Sequence, residues 1–213
     1  MKTFMKMNLP NKLTTLRMVA VIILIFIALI PWNGLASGGT FMQNWMYSCY
    51  ANKDLVWVRI VLCVIFIVAS FTDFLDGHIA RKNGIVTTYG KFMDPIADKL
   101  LVDSVVIIMA IQRPDLVPPV VAVIMIARDL LVDALRQVAV TKGIVLAANI
   151  WGKLKTVIQM TGLTFVLLLD WPFSLLNLPI SITTIVMYVA GVVSLLSGVL
   201  YFTKNLKVFS DKE

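Results

Sequence analysis

The sequence predicts an all-α, polytopic membrane protein with six transmembrane helices and its reactive polar groups on the cytoplasmic side. Three observations carry this reading. Of the 213 residues, 59% are hydrophobic, against about 45–50% in ordinary soluble domains, and the mean hydropathy is +0.89. Six segments have the apolar character of bilayer spans, which need about 20 residues each. The basic residues are distributed unevenly between the segments that connect them. The whole chain, residues 1–213, reads as a single transmembrane domain.

The first span is expected from Leu13 to Trp32, with Pro31 near its end. The second runs from Leu55 to Leu75 and the third from Pro95 to Gln112. The fourth runs from Val117 to Val140, the fifth from Lys153 to Leu169, and the sixth from Ile180 to Phe202. The third and fifth are short enough for buried core helices, but the apolar excess elsewhere favours spanning. Residues 1–12 open with MKTFMKM, in which basic and apolar residues alternate. A short helix lying on the inner leaflet fits that pattern, and a frayed terminus fits it equally. Residues 33–54 are polar, Gly-rich and aromatic, and read as an outer loop with Trp45, Tyr47 and Tyr50 at headgroup level.

Charge sets the orientation. With the N-terminus inside, Lys2, Lys6, Lys12, Arg17, Arg81, Lys82, Lys91, Lys99, Arg128, Arg136, Lys142, Lys153, Lys155, Lys204, Lys207 and Lys212 fall on the cytoplasmic side. Only Lys53, Arg59 and Arg113 fall outside, 16 against 3 of the 19 basic residues. This is the positive-inside pattern, and it places both termini in the cytoplasm. The net charge of +7 does not indicate nucleic acid, because the charges lie between apolar runs rather than on a water-facing domain. Cys49 and Cys63 are too few for a disulfide scaffold. No cleavable signal peptide is expected, since no A-x-A-like site closes the first apolar run.

Against this apolar background, residues 70–100 carry four aspartates. Asp73 and Asp76 are spaced i, i+3, and Asp94 and Asp98 are spaced i, i+4, so on helices each pair shares a face. Pro95 fits best in the first turn of a helix. One pair is therefore expected to end the second span and the other to begin the third, with a short loop between. A lone aspartate at a helix end is usually a cap; two face-matched pairs on adjacent spans ask for more. Four carboxylates so close repel, and they are costly to desolvate at membrane depth. A cation must compensate, and an all-oxygen cluster suits Mg²⁺, Mn²⁺ or Ca²⁺. Zinc ligation by Cys or His is not supported, as His78 is the only histidine. Gly77 and Gly90 allow a close approach of backbone or ligand, Ala80 is small, and Arg81 can clamp a phosphate. Together these residues suggest metal-dependent phosphate chemistry on a lipid-linked substrate. A cation transporter is the alternative from another class. It needs a polar path through the bilayer, which the first and sixth spans do not offer.

The residues Asp73, Asp76, Gly77, Ala80, Arg81, Gly90, Asp94 and Asp98 form the pattern D-x-x-D-G-x-x-A-R, eight residues, G-x-x-x-D-x-x-x-D. This resembles the signature of the CDP-alcohol phosphotransferases, with no position missing. "NLPNKLTTLR" (Asn8 to Arg17) and the stretch from Ile126 to Met160 look like segments of the family's bacterial members that use glycerol 3-phosphate. Where those usually read R-E-F and T-G-L-R, this chain has Arg128-Asp129-Leu130 and Asp133-Ala134-Leu135-Arg136.

The resemblance implies transfer of the phosphatidyl group from CDP-diacylglycerol to sn-glycerol 3-phosphate, giving phosphatidylglycerophosphate and CMP in the bacterial inner membrane. It implies two ions, Mg²⁺ or Mn²⁺, on Asp73, Asp76 and Asp94, with Asp98 completing the cluster and acting as general base. It places Gly77, Arg81 and Thr87 on the cytidine diphosphate, joined by Asn11, Thr14 and Arg17. Arg128, Arg136, Lys153 and Lys155 are candidates for the acceptor phosphate. Arg128 and Arg136, eight residues apart, differ by only about 80° around an ideal helix. For Arg128 the competing reading is a simple pair with Asp129, and for the two lysines, positive-inside anchors. A homodimer is expected from the family. The core motif leaves open another acceptor, such as inositol phosphate, serine or phosphatidylglycerol.

Overall fold

The computed structural model describes residues 9–32, 34, 39–45, 55–82, 88–144, 146, 150–176 and 178–206. The side chains of residues 9–10, 73–82, 88–89 and 91 lie outside that description. So do the expected interfacial segment before Leu9, Thr87, and Tyr47 and Tyr50 of the outer loop. The described residues are helical, with no strand. The long elements are α1 (Leu9–Leu29), α2 (Val56–Lys82), α3 (Thr88–Gln112), α4 (Pro119–Thr141), α5 (Ile150–Leu167) and α6 (Ile182–Lys204). Each expected span falls on one of these helices. The chain divides into two compact units, Met1–Gln112 with Leu167–Leu169, and Arg113–Val166 with Asp170–Glu213.

Two expectations about the helices are corrected. α2 does not stop at Leu75 but continues to Lys82, so Asp73, Asp76, Gly77, Ala80 and Arg81 lie on helix rather than at a helix end or in a loop. Gly77 is the weakest helix former there, and one glycine costs about 1 kcal/mol. α3 begins at Thr88, not at Pro95, and carries Pro95 in its interior. Pro95 lacks an N–H and leaves the carbonyl four residues earlier without its helical donor. Asp94 is therefore about two turns further into the helix than a start at Pro95 implies, and Gly90 is helical as well.

In the first unit, α1 packs against both α2 and α3. One stripe of α1 is buried: Asn11, Thr14, Arg17, Val21, Leu24 and Ala28, a spacing of three and four residues that keeps a single face inward. The opposite face is apolar too, with Phe26 at 64% and Ile22 at 51% exposure. Monomeric soluble proteins rarely present continuous apolar surface of that kind; lipid is the solvent that suits it. Two helices, Asn11–Leu29 and Ile182–Lys204, are long and apolar enough to cross a bilayer, and Val56–Thr72 is a shorter apolar stretch. At the far end of α1, the Gln112 amide donates to the Ala28 carbonyl at 3.1 Å. There the Trp45 indole donates to the Leu29 carbonyl at 3.0 Å, and Trp32 meets Trp57 edge to face at 4.9 Å.

In the second unit, α4 lies along α6. Buried Met125, Val132, Leu135 and Ala139 of α4 share this interior with Met187, Ala190, Gly191, Ser194 and Ser197 of α6. Small residues on α6 permit the close approach, as in membrane helix pairs generally. A Cβ added at Gly191 would stand 3.1 Å from Val121 Cγ1, and one at Gly198 only 2.8 Å from Arg128 Cγ. α4 starts on Pro118-Pro119, where a missing N–H costs nothing. It ends in a Schellman turn: Gly143 has φ +71°, and Gly143 and Ile144 donate to the carbonyls of Val140 and Ala139. The Ser181 hydroxyl caps α6 by accepting from the Thr183 and Thr184 amides, worth about 1 kcal/mol.

The contact of α4 with α6 gives a direct test. Gly191→Val should lower stability by about 1–3 kcal/mol through overpacking, read as a lower thermal midpoint in detergent, and Val121→Ala should recover part of it. An unchanged midpoint for Gly191→Val would contradict this packing.

Candidate active site

The acidic face belongs to the first unit. Asp94 and Asp98 stand one turn apart on α3, both partly exposed. The Thr14 hydroxyl of α1 donates to Asp94 Oδ1 at 2.6 Å, the short distance expected of a bond to an ionised carboxylate. Thr14 is itself only 1% exposed, so the bond fixes the Asp94 carboxylate from inside the helix packing. The resemblance assigns Thr14 to the donor headgroup, and this bond sets it beside Asp94. Asn11 and Arg17 flank it on the same buried stripe. Asp73, Asp76, Gly77 and Arg81 lie on α2, with side chains outside the description, and Thr87 is outside it altogether. Among the described residues no group of three or more His, Cys, Asp or Glu side chains comes together. Asp94 and Asp98 offer hard oxygen donors of the kind a divalent ion such as Mg²⁺ prefers, and Thr14 engages only one Asp94 oxygen, so this part of the ligand set fits such an ion.

The basic face belongs to the second unit and has a different construction. Asp129 of α4 is 9% exposed. Its Oδ1 accepts from Arg128 Nη1 at 2.9 Å, and its Oδ2 accepts from the Lys155 ammonium of α5. Arg128 Nη2 also donates to the Ser197 hydroxyl of α6 at 2.6 Å. Four side chains thus join three helices, with two cations sharing one carboxylate. The pairing of Arg128 with Asp129, set against a functional reading in the sequence, is present. Gly198 leaves room for the arginine: a Cβ added there would stand only 2.8 Å from its Cγ, whereas one at Gly152 would make an ordinary contact of 3.6 Å with its Nη2.

The four candidates for the acceptor phosphate are therefore not equivalent. Arg128 and Lys155 meet on Asp129. Arg136 lies two turns further along α4, about 12 Å by helix rise, where its Nε donates to the Tyr201 hydroxyl at 3.2 Å. Lys153 is exposed. Both arginines face α6, as their angular spacing implied. The sequence does not single out Ser197 and Tyr201 as partners of these arginines, and it offers Asp129 only as a competitor for Arg128. An acidic residue in the middle of an apolar helix is a signal in its own right, and Asp129 carries it; the two α6 residues carry none.

With these arrangements in view, the comparison with known proteins is unambiguous at the level of class. Residues 7–196 match the model of the CDP-alcohol phosphatidyltransferase family, and the chain belongs to that family. Among its relatives is the CDP-diacylglycerol–glycerol-3-phosphate 3-phosphatidyltransferase of Bacillus subtilis, 36% identical over 170 residues, covering 80% of this chain and 81% of that protein. The protein of the same name from Rickettsia bellii is 37% identical over 161 residues, covering 76% and 75%. That from Mycoplasma pneumoniae is 36% identical over 160 residues, covering 75% and 66%.

Asp129 supplies a prediction. Removing one partner of a buried ion pair costs about 3–5 kcal/mol, so Asp129→Ala should sharply lower the thermal midpoint in detergent, and Asp129→Glu should retain more of it. If Asp129→Ala matched the parent midpoint, the three-helix junction would not hold the unit together.

Proposed function

We propose that this chain transfers the phosphatidyl group of CDP-diacylglycerol to sn-glycerol 3-phosphate, producing phosphatidylglycerophosphate and CMP. The observation that carries the reading is the family match over residues 7–196, with relatives of that activity at 36% identity over four fifths of the chain. The complete eight-residue motif between Asp73 and Asp98 supports it from within the sequence.

The residues divide the work as follows. Asp73, Asp76 and Asp94, with Asp98, would hold Mg²⁺ or Mn²⁺, two ions in all, whose charge offsets that of the pyrophosphate and of the departing CMP. Thr14 orients Asp94 for that role. Gly77, Arg81 and Thr87, with Asn11 and Arg17, take the cytidine diphosphate. An acceptor hydroxyl oxygen bonds to the phosphatidyl phosphorus while the bond from that phosphorus to the bridging oxygen breaks. Asp98 accepts the hydroxyl proton, and the electron pair leaves on the CMP phosphate. Arg128, Arg136, Lys153 and Lys155 receive the acceptor's own phosphate. The two cations gathered on Asp129 support this reading.

The same reading makes all six long helices membrane spans and sets both termini and the acidic face in the cytoplasm, in a bacterial inner membrane and as a homodimer. The distribution of 16 basic residues against 3 supports the orientation. A cysteine introduced at Asn83 in intact cells should react only with membrane-permeant reagents; labelling by an impermeant one would overturn it.

Activity is tested by CMP release from CDP-diacylglycerol with a panel of alcohols. Glycerol 3-phosphate should be turned over, and inositol phosphate, serine and phosphatidylglycerol should not. A preference for one of the latter would replace the proposed acceptor while leaving the class intact. Asp98→Asn keeps the shape and removes the base, so turnover should fall about 10²–10⁴-fold with donor binding retained. Near-normal turnover would remove Asp98 from the chemistry.

A further inference from the structure

Tyr201 is 3% exposed and packs with Val132, Leu135, Ala139 and Leu146. Its ring and hydroxyl are therefore fixed by the interior of the second unit. Arg136, one turn from the end of α4, is exposed. Its Nε donates to the Tyr201 hydroxyl at 3.2 Å, and its guanidinium carbon lies 5.4 Å from the Tyr201 ring centroid. An exposed arginine usually samples many rotamers. This one is held at two points by a buried aromatic side chain.

The choice of donor matters. A guanidinium binds a phosphate in a fork, through two parallel N–H bonds. Tyr201 occupies Nε, the donor nearest the stem. Among the described residues no carboxylate pairs with Arg136, so both terminal Nη groups remain for a ligand in a fixed plane. Arg128 contrasts with it, since both of its Nη groups already have protein acceptors.

We propose that Tyr201 is a positioning residue, which holds the Arg136 guanidinium so that its two Nη groups bind the phosphate of the acceptor alcohol. This rests on the reading of Arg136 as part of the acceptor site. It makes Arg136, rather than the Asp129-bound pair, the side chain that offers a two-pronged contact to the phosphate, and Tyr201 the reason that fork is preorganised.

The test is a double-mutant cycle on the full-length protein in detergent–lipid micelles, with acceptor and donor KM measured separately. Tyr201→Phe keeps the packing and ring and removes one hydrogen bond. It should raise the KM for glycerol 3-phosphate about three- to tenfold, with donor KM, kcat at saturating acceptor and the thermal midpoint nearly unchanged. Arg136→Ala should raise acceptor KM by at least about tenfold, and adding Tyr201→Phe to it should change nothing further. Calorimetric binding of glycerol 3-phosphate should weaken in the same order. If Arg136→Ala raises acceptor KM and Tyr201→Phe does not, or if their effects simply multiply, Tyr201 is not a positioning residue, while the acceptor reading stands. If Arg136→Ala itself leaves acceptor KM unchanged, the acceptor reading of Arg136 falls and the inference falls with it.

Discussion

The carboxylate of Asp129 holds Arg128 and Lys155 inside the helices of the second unit, and the packing around it must satisfy these charges. Ionised side chains lose hydration among apolar helices, and only close opposite charge and hydrogen bonds offset the loss. The offset here comes from three helices at once, α4, α5 and α6, with Ser197 taking a further arginine N–H. Geometry follows from chemistry. At Gly198 a side chain would collide with the Arg128 stem, and α6 can lie close to α4 because it carries glycine and serine at the crossing.

The first unit meets the same constraint with a neutral partner. Asp94 is anchored by a hydroxyl, Thr14, which fixes the carboxylate without cancelling its charge. The difference has chemical meaning. A carboxylate paired with lysine or arginine is a poor ligand for a cation, whereas one held by a hydroxyl keeps its full negative charge and a second oxygen. The Asp129 junction, by contrast, pairs its carboxylate directly with two cations.

Much of this was legible in the sequence, and the parts that were not have physical reasons. Six apolar segments located six helices, because composition over 20 residues is a strong signal. The motif aspartates were found by spacing and charge. The end of α2 and the start of α3 are not legible, because polar residues and a proline also mark ordinary helix boundaries. A helix tolerates Gly77 at small cost, and Pro95 inside α3 forfeits one hydrogen bond without ending the helix. Thr14 was placed in the site by resemblance, but its bond to a residue 80 positions away on another helix is tertiary information. Ser197 and Tyr201 were missed for the same reason. Serine and tyrosine in an apolar helix look like packing residues until the arginine across the interface is seen.

The central claim is that the carboxylates of α2 and α3 serve a divalent cation in phosphatidyl transfer. It is tested most directly by CMP release from CDP-diacylglycerol and glycerol 3-phosphate, using purified protein stripped of metal by chelator and dialysis. The account predicts that release stops in the stripped protein and returns when Mg²⁺ or Mn²⁺ is added. Full release with the chelator still present would contradict it.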